Sequence, residues 1–211
     1  MAENDVDTTT AQHLIALTGG IGSGKTQVSD YLETKGIPIA DADRIVHKLL
    51  KEDTDLKNLI IESFGPKILS TEQEIDRKQL AHIIFNSQEK RKELESWIHP
   101  RVREAFLEFR KAHPEENILV EVIPLLFESK LENMYPEVWL VSAPEEHILQ
   151  RLQSHRHFTL KEAQSRIKNQ LSLQEKKARL LQHPNGYCIE NNGSRSQLYQ
   201  QVDNRLSIIL T

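Results

Sequence analysis

Residues 19–26 read Gly19-Gly20-Ile21-Gly22-Ser23-Gly24-Lys25-Thr26 and satisfy the pattern G-x-x-x-x-G-K-[ST]. Glycines let the backbone curl so that successive N–H groups point at an anion, and a following helix presents its positive end to that anion. A short apolar run over residues 13–18 precedes the motif, and a helical pattern over residues 26–35 follows it. This order is the one that a phosphate-binding P-loop requires, so the stretch predicts a nucleotide-phosphate site between a strand and a helix.

Outside the loop, short apolar runs alternate with helical patterns, which is typical of an α/β protein with a parallel sheet. Strands are predicted over residues 13–18, 37–40, 118–123, 138–142 and 187–189. We therefore expect a three-layer P-loop NTPase core with a five-stranded parallel sheet. The remaining helical patterns, over residues 44–112 and 146–181, predict two insertions on that core, and Pro100 is expected to begin a new helix within the first of them.

The composition excludes several classes of protein. The 211 residues carry a net charge of -4, with 27% charged and 38% hydrophobic residues, as in soluble globular proteins and unlike nucleic-acid binders with a basic domain. One cysteine, Cys188, allows no intrachain disulfide, which favours a reducing cytoplasm. The polar residues 1–12 lack a signal peptide's pattern and predict a disordered tail. We expect a cytoplasmic monomer or weak homo-oligomer with no nucleic-acid or membrane partner.

The charge is unevenly distributed along the chain. Residues 150–183 contain eight Lys and Arg but only two acidic residues, Glu162 and Glu175, so this segment has a net charge of +6 and the rest of the chain one of -10. Any account of the function has to explain why positive charge is concentrated in this segment.

Two aspartates follow the second predicted strand, at the carboxyl edge where ligands bind in such sheets. Asp41 and Asp43 could orient a hydroxyl, accept its proton or help to hold hydrated Mg²⁺. The alternative is that one of them only caps the next helix. We predict that Asp41 caps or supports and that Asp43 is the catalytic group.

The motifs together resemble the dephospho-CoA kinase family. The matching segments are IALTGGIGSGKT at residues 15–26, ADAD at 40–43, His99-Pro100, IPLLFE at 123–128, Gln150-Arg151-Leu152, Arg166-Ile167 with Gln170, and IENNG at 189–193. In that family ATP phosphorylates the ribose 3′-hydroxyl of dephospho-CoA. The resemblance implies a nucleotide-binding core over residues 13–47, 115–145 and 184–211, a helical dephospho-CoA-binding insertion over 48–114, and a basic helical lid over 146–183.

The resemblance also implies roles for individual residues. The expected catalytic residues are Asp43, Lys25 and Arg151, and the expected magnesium ligand is Thr26. Asp41 and His99 are expected to bind dephospho-CoA. The expected ATP-binding residues are Gly20, Ile21, Gly22, Ser23, Gly24, Lys25, Thr26, Gln27, Arg156 and Asn192.

The sequence departs from the family at two positions of interest. His155 stands where many members have an arginine, so either the neighbouring Arg156 takes that role or Arg151 carries more of it. Val122 stands where many members have an aspartate, and the adjacent Glu121 would point to the opposite face of a strand. Two other functions stay open on the residues alone: a P-loop kinase with another acceptor, and a non-catalytic nucleotide-binding module.

Overall fold

The computed structural model describes residues 13–210, and the predicted tail over residues 1–12 lies outside them. The strands in this range are β1 (His13–Gly19), β2 (Ile39–Asp41), β3 (Ile118–Val122), β4 (Glu137–Ser142) and β5 (Gly186–Glu190). They form one sheet in the order β2-β3-β1-β4-β5, and every neighbouring pair is parallel. The predicted five-stranded parallel sheet is confirmed.

The α-helices of residues 13–210 account for most of the remaining chain. They are α1 (Lys25–Thr34), α2 (Ala42–Glu52), α3 (Thr54–Phe64), α4 (Arg77–Asn86), α5 (Gln88–Ala112), α6 (Glu145–Arg156), α7 (Leu160–Lys168), α8 (Leu173–Gln182) and α9 (Arg195–Ile209). Local signals explain several of their starts. Thr159, Ser172 and Ser194 each cap a helix in a reciprocal capping box with the acidic or amide residue three positions later.

Helices cover the sheet because its central strands are apolar on both faces, and β3 and β4 are buried at every position. On one face, Val28 of α1 and Val202 of α9 pack with Trp139 of β4 in a single apolar cluster. Alternate residues of β4 point to the opposite face, and α8 packs against β4 and β5. The core is the expected three-layer α/β arrangement.

Within the described range the chain forms two compact units, one of residues 13–41 with 110–210 and one of Ala42–Phe109. The second unit is helical, and its apolar core includes Leu50 of α2, Ile60 of α3 and Leu94 of α5. It begins and ends earlier than the predicted insertion over residues 48–114. The physical reason at the start is that α2 contributes apolar residues to this helical core rather than to the sheet.

The prediction that Pro100 begins a new helix is wrong, because Pro100 lies inside α5. Proline removes one backbone donor from a helix and crowds the preceding turn. Pro100 leaves the Ser96 carbonyl oxygen without its usual helical donor, and nearby the Arg101 guanidinium donates a hydrogen bond to the Trp97 carbonyl oxygen at 2.9 Å. The burial of Ile98 before Pro100 and of Phe106 after it favours a continuous helix, because both turns pack against other residues.

Among residues 13–210, no helix is both long enough and apolar enough to cross a membrane.

Candidate functional site

The phosphate loop connects β1 to α1 at the carboxyl edge of the sheet. Gly22 and Gly24 adopt positive φ values of 72° and 104°, so the backbone turns twice within three residues. The Ser23 N–H donates to the Gly20 carbonyl oxygen at 3.2 Å and closes the turn. No side chain of the described residues caps α1, whose N-cap is Gly24. The N–H groups of the first helical turn can therefore bind an anion, as the sequence pattern predicts.

Lys25 folds back over this loop. Its Nζ donates to the carbonyl oxygens of Gly19 and Gly20 at 2.8 and 3.1 Å. These contacts place an ammonium group beside the loop backbone, where it adds positive charge to that of the helix end.

Arg151 and Asn191 bind the loop through its carbonyl oxygens. The Arg151 guanidinium donates from Nη1 to Gly22 O and Ser23 O, both at 3.2 Å, and from Nη2 to Asn191 O at 3.0 Å. Burial lowers the pKa of Arg151, but an arginine stays charged in proteins. Because a cation holds the carbonyl oxygens, the loop is fixed in one conformation by a residue of α6. We call Arg151 and Asn191 the loop brace.

Asn191 supplies the second half of the loop brace. Its Nδ2 donates to Ser23 O at 2.8 Å and to Gln27 Oε1 at 3.2 Å, while its own N–H donates to Ser142 O at 2.7 Å. A Cβ atom on Gly24 would collide with the Asn191 side chain. Gly24 is therefore required both by its backbone conformation and by this close approach. The amide of Asn191 thus ties the end of β5 to the phosphate loop.

A side chain from the turn between α7 and α8 also reaches the loop. Gln170 Oε1 accepts a hydrogen bond from the Ile21 N–H at 2.9 Å. Ile21 is one of the loop residues that the sequence predicts to bind ATP. The structure therefore brings the basic segment over residues 150–183 to the loop at two points, Arg151 and Gln170.

The part of the chain that the structure describes contains no cluster of three or more His, Cys, Asp or Glu side chains suited to a metal ion. Magnesium bound with a nucleotide usually takes only one or two protein ligands, with phosphate and water completing its shell. The exposed Thr26, in the first turn of α1, offers one hydroxyl oxygen and fits that requirement.

The other predicted site residues are spread over both units. Asp41 ends β2 at the carboxyl edge of the sheet, and Asp43 is exposed in the first turn of α2, in the helical unit. His99 is exposed on α5 of the helical unit. Arg156 is exposed in the last turn of α6. Asn192 is exposed, and its neighbour Asn191 makes the contact with the phosphate loop.

Glu121, beside the position where many family members have an aspartate, has a structural role in β3. Its buried carboxylate accepts two hydrogen bonds from Arg110, at 2.8 and 2.9 Å, and one from the Tyr135 hydroxyl at 2.5 Å. Burial raises the pKa of Tyr135, and the charge of Glu121 raises it further. Burial alone would lower the pKa of Arg110, but Glu121 outweighs it and raises that pKa. Val122 lies in the apolar core. Glu121 is thus already paired.

Two residues of the site were missed or left without a role by sequence reasoning. Asn191 follows directly after a strand at the carboxyl edge, and that position is the signal that could have identified it. Gln170 belongs to a family motif, but nothing in the local sequence connects it with Ile21, because 149 positions separate them.

The chain matches known proteins over nearly its whole length. A sequence profile described as dephospho-CoA kinase matches residues 13–197. The dephospho-CoA kinase of Trichormus variabilis is 40% identical over 200 residues, which cover 94% of this chain and 99% of that protein. Among solved structures, a Thermus thermophilus protein is 29% identical with a TM-score of 0.78, and the dephospho-CoA kinase of Campylobacter jejuni is 28% identical with a TM-score of 0.64. Each structural match covers 93% of this chain and 97% of the other.

A P-loop at the carboxyl edge of a five-stranded parallel sheet, a basic helical segment that contacts it, and matches over almost the entire chain all lead to one assignment. The chain belongs to the dephospho-CoA kinase family.

Proposed function

We propose that the protein transfers the γ-phosphoryl group of ATP to the ribose 3′-hydroxyl of dephospho-CoA and releases coenzyme A and ADP. The observation that carries this proposal is the loop at residues 19–26, held by Arg151 and Asn191, in a chain of this family. Phosphoryl transfer depends mainly on positioning and on neutralising charge, and a fixed loop at the start of a helix, with Lys25 beside it, serves both.

In the proposed mechanism the loop N–H groups and the end of α1 bind the β- and γ-phosphates. Lys25 neutralises charge on the transferring group, and its ammonium already lies at the loop through Gly19 O and Gly20 O. Thr26 would provide one oxygen ligand to Mg²⁺, which supplies further neutralisation when bound. Gln27 contributes indirectly, since its side chain accepts a hydrogen bond from Asn191.

Asp43 is the proposed catalytic carboxylate. It orients the acceptor hydroxyl and accepts its proton late in the transfer, as carboxylates do in related phosphoryl-transfer sites. Asp41, at the end of β2, and His99, on α5, are proposed to bind dephospho-CoA. The helical unit is proposed to hold the bulk of this acceptor.

The segment over residues 146–183, which includes the basic segment over residues 150–183, is proposed to act as a lid, and its contacts support a division into a fixed and a mobile part. Arg151 of α6 is bound to the phosphate loop, and Arg179 of α8 is bound to Phe127 O and Glu132. With α6 and α8 fixed in this way, α7 and the turn that joins it to α6 are the proposed mobile part. Closure would exclude water that would otherwise hydrolyse ATP.

An ADP-release assay with several acceptors tests the proposal. We expect dephospho-CoA to turn over far better than nucleosides or nucleoside monophosphates at equal concentration. Preference for another acceptor would indicate a different P-loop kinase activity. Binding of ATP with no acceptor-stimulated release of ADP would indicate a nucleotide-binding module without catalysis. The position of the new phosphate can be read directly by phosphorus NMR of the product.

A further inference from the structure

We infer that Gln170 is a surrogate ligand of the phosphate loop, whose side-chain oxygen takes the place of a phosphate oxygen on the Ile21 N–H and is displaced when a polyphosphate binds. The identity of that polyphosphate rests on the proposed function. The contact itself is direct, since Ile21 N and Gln170 Oε1 are 2.9 Å apart.

The chemistry of the two groups supports exchange. A backbone N–H carries a single hydrogen, so it makes one strong hydrogen bond at a time. An amide oxygen is a neutral acceptor, whereas a phosphate oxygen is charged, and hydrogen bonds to charged acceptors are roughly twice as strong. Gln170 can therefore satisfy the Ile21 N–H and still yield it to phosphate.

The turn that carries Gln170 is fixed at both sides. The Gln170 N–H donates to Ile167 O at 3.1 Å, and Ser172 caps α8 in a capping box with Glu175. Between them, the Leu171 N–H donates to Glu128 Oε1 at 3.0 Å. These bonds leave Gln170 at one defined position in the four-residue link between α7 and α8, which lowers the entropic cost of holding its side chain at the loop.

An ion pair between Lys176 and Glu128 holds this turn in place. Lys176 of α8 is 2% exposed, and its Nζ lies 3.0 Å from the same Glu128 oxygen that receives the Leu171 N–H. One carboxylate thus connects α8 with the turn beside Gln170. Glu128 is consequently a positioning residue for Gln170, and it acts on the phosphate loop only through that side chain.

The occupied N–H couples the turn to the loop. Because the Gln170 contact competes with phosphate, the free energy of the contact is subtracted from that of phosphate binding, and phosphate binding releases the Gln170 side chain. Release of the Gln170 side chain would remove one link between the phosphate loop and the end of α7, the proposed mobile part of the lid, when a polyphosphate occupies the loop.

Affinity measurements with matched variants of the full chain test the inference. Titration calorimetry would use inorganic tripolyphosphate, ATP and adenosine as separate ligands. We expect Gln170→Ala to tighten tripolyphosphate and ATP by about 2- to 10-fold, the range that one net hydrogen bond provides, and to leave adenosine unchanged. Gln170→Glu should weaken both phosphates, because a carboxylate competes more strongly and repels the ligand.

Gln164→Ala is the control, because Gln164 is an exposed glutamine of α7. It should leave all three affinities at their wild-type values. Unchanged tripolyphosphate affinity in Gln170→Ala would overturn the inference. Weaker tripolyphosphate binding in that variant would also overturn it, because it would show that Gln170 is itself a phosphate ligand. Wild-type protein that binds tripolyphosphate but does not turn over dephospho-CoA would contradict the proposed function alone.

A second variant tests the anchor. Glu128→Gln keeps an acceptor for the Leu171 N–H but removes the charge that pairs with Lys176. It should shift tripolyphosphate affinity in the same direction as Gln170→Ala, and adding it to Gln170→Ala should have no further effect on that affinity. An effect that persists in the double variant would mean that Glu128 acts on the loop by another route. A variant that had only lost thermal stability would not lose its effect on tripolyphosphate affinity when Gln170→Ala is also present.

Discussion

At the scale of single residues, Arg151 differs from the exposed Lys161 of the basic segment in that it binds the phosphate loop directly. Its guanidinium donates to the Gly22, Ser23 and Asn191 carbonyl oxygens, whereas Lys161 is exposed near the start of α7. The sequence placed Arg151 among the catalytic residues. Its contacts add a positioning role, in which it holds the backbone whose N–H groups receive phosphate.

We expect Arg151→Glu to lower kcat/KM far more than Lys161→Glu. A carboxylate at position 151 would face carbonyl oxygens instead of binding them, and leaving buried acceptors without a donor costs about 1–3 kcal/mol. Steady-state kinetics with ATP and dephospho-CoA would measure the difference. Equal losses in the two variants would mean that the segment acts only as a diffuse positive field.

Asp43 is the second test at this scale. We expect Asp43→Asn to reduce kcat by roughly 10²- to 10⁴-fold, the usual contribution of a general base, while ATP affinity stays close to that of the wild type. Single-turnover kinetics and ATP titration would separate the two effects. Asp55→Asn, which changes an exposed aspartate of α3, is the matched control. Full activity in Asp43→Asn would exclude the catalytic assignment.

At the scale of secondary structure, helix α3 depends on a cap that can be tested by stability. The Asp53 carboxylate accepts the Leu56 N–H at 2.8 Å and pairs with Arg101, also at 2.8 Å. The Leu56 N–H and then Arg101 lower the pKa of Asp53, although burial opposes them. The cap therefore stabilises the start of α3 in its ionised form.

We expect Asp53→Ala to reduce the free energy of unfolding by about 1 kcal/mol at neutral pH. Because the folded-state pKa of Asp53 is lowered, its contribution is complete above the pKa of the unfolded state and is lost as the pH falls through the folded value. The difference from wild type should therefore shrink below about pH 4. Denaturant unfolding would measure it, with the exposed Glu62→Ala of the same helix as control.

Helix boundaries show how much of this level is local. The capping residues Thr159, Ser172 and Ser194 each bond a residue only three positions later in the chain. The prediction for Pro100 was wrong, because α5 continues through it with buried residues on both sides, Ile98 and Phe106. A local signal is reliable where the bond partner is a few residues away.

At the scale of the whole molecule, the positive segment supplies cations to glutamates outside it. Lys176 pairs with Glu128, Lys177 with Glu190, and Arg179 with Glu132. The net charge of +6 is therefore only partly available to anionic ligands, contrary to the simplest interpretation of the sequence. Buried pairs such as Lys176–Glu128 are costly to break, because removal of one partner leaves an uncompensated charge.

Ligand binding provides a test at this scale. ATP with Mg²⁺ at a hundred times its Kd should stabilise the native state by about 2.7 kcal/mol. For a chain of this length the unfolding midpoint should rise by about 5–10 °C. Scanning calorimetry would measure the shift, and Lys25→Ala should lose most of it. No shift in the wild-type protein would contradict nucleotide binding at the loop.

The sequence by itself determined the phosphate loop, the strands and most of the helices, because glycine conformations, apolar periodicity and caps act over a few residues. Only the tertiary structure decided that Arg151 and Asn191 brace the loop, that Gln170 occupies the Ile21 N–H, and that α2 belongs to the helical unit. These features join positions far apart in the chain. Their hydrogen bonds and apolar contacts exist only after folding brings the partners together, so no local pattern encodes them.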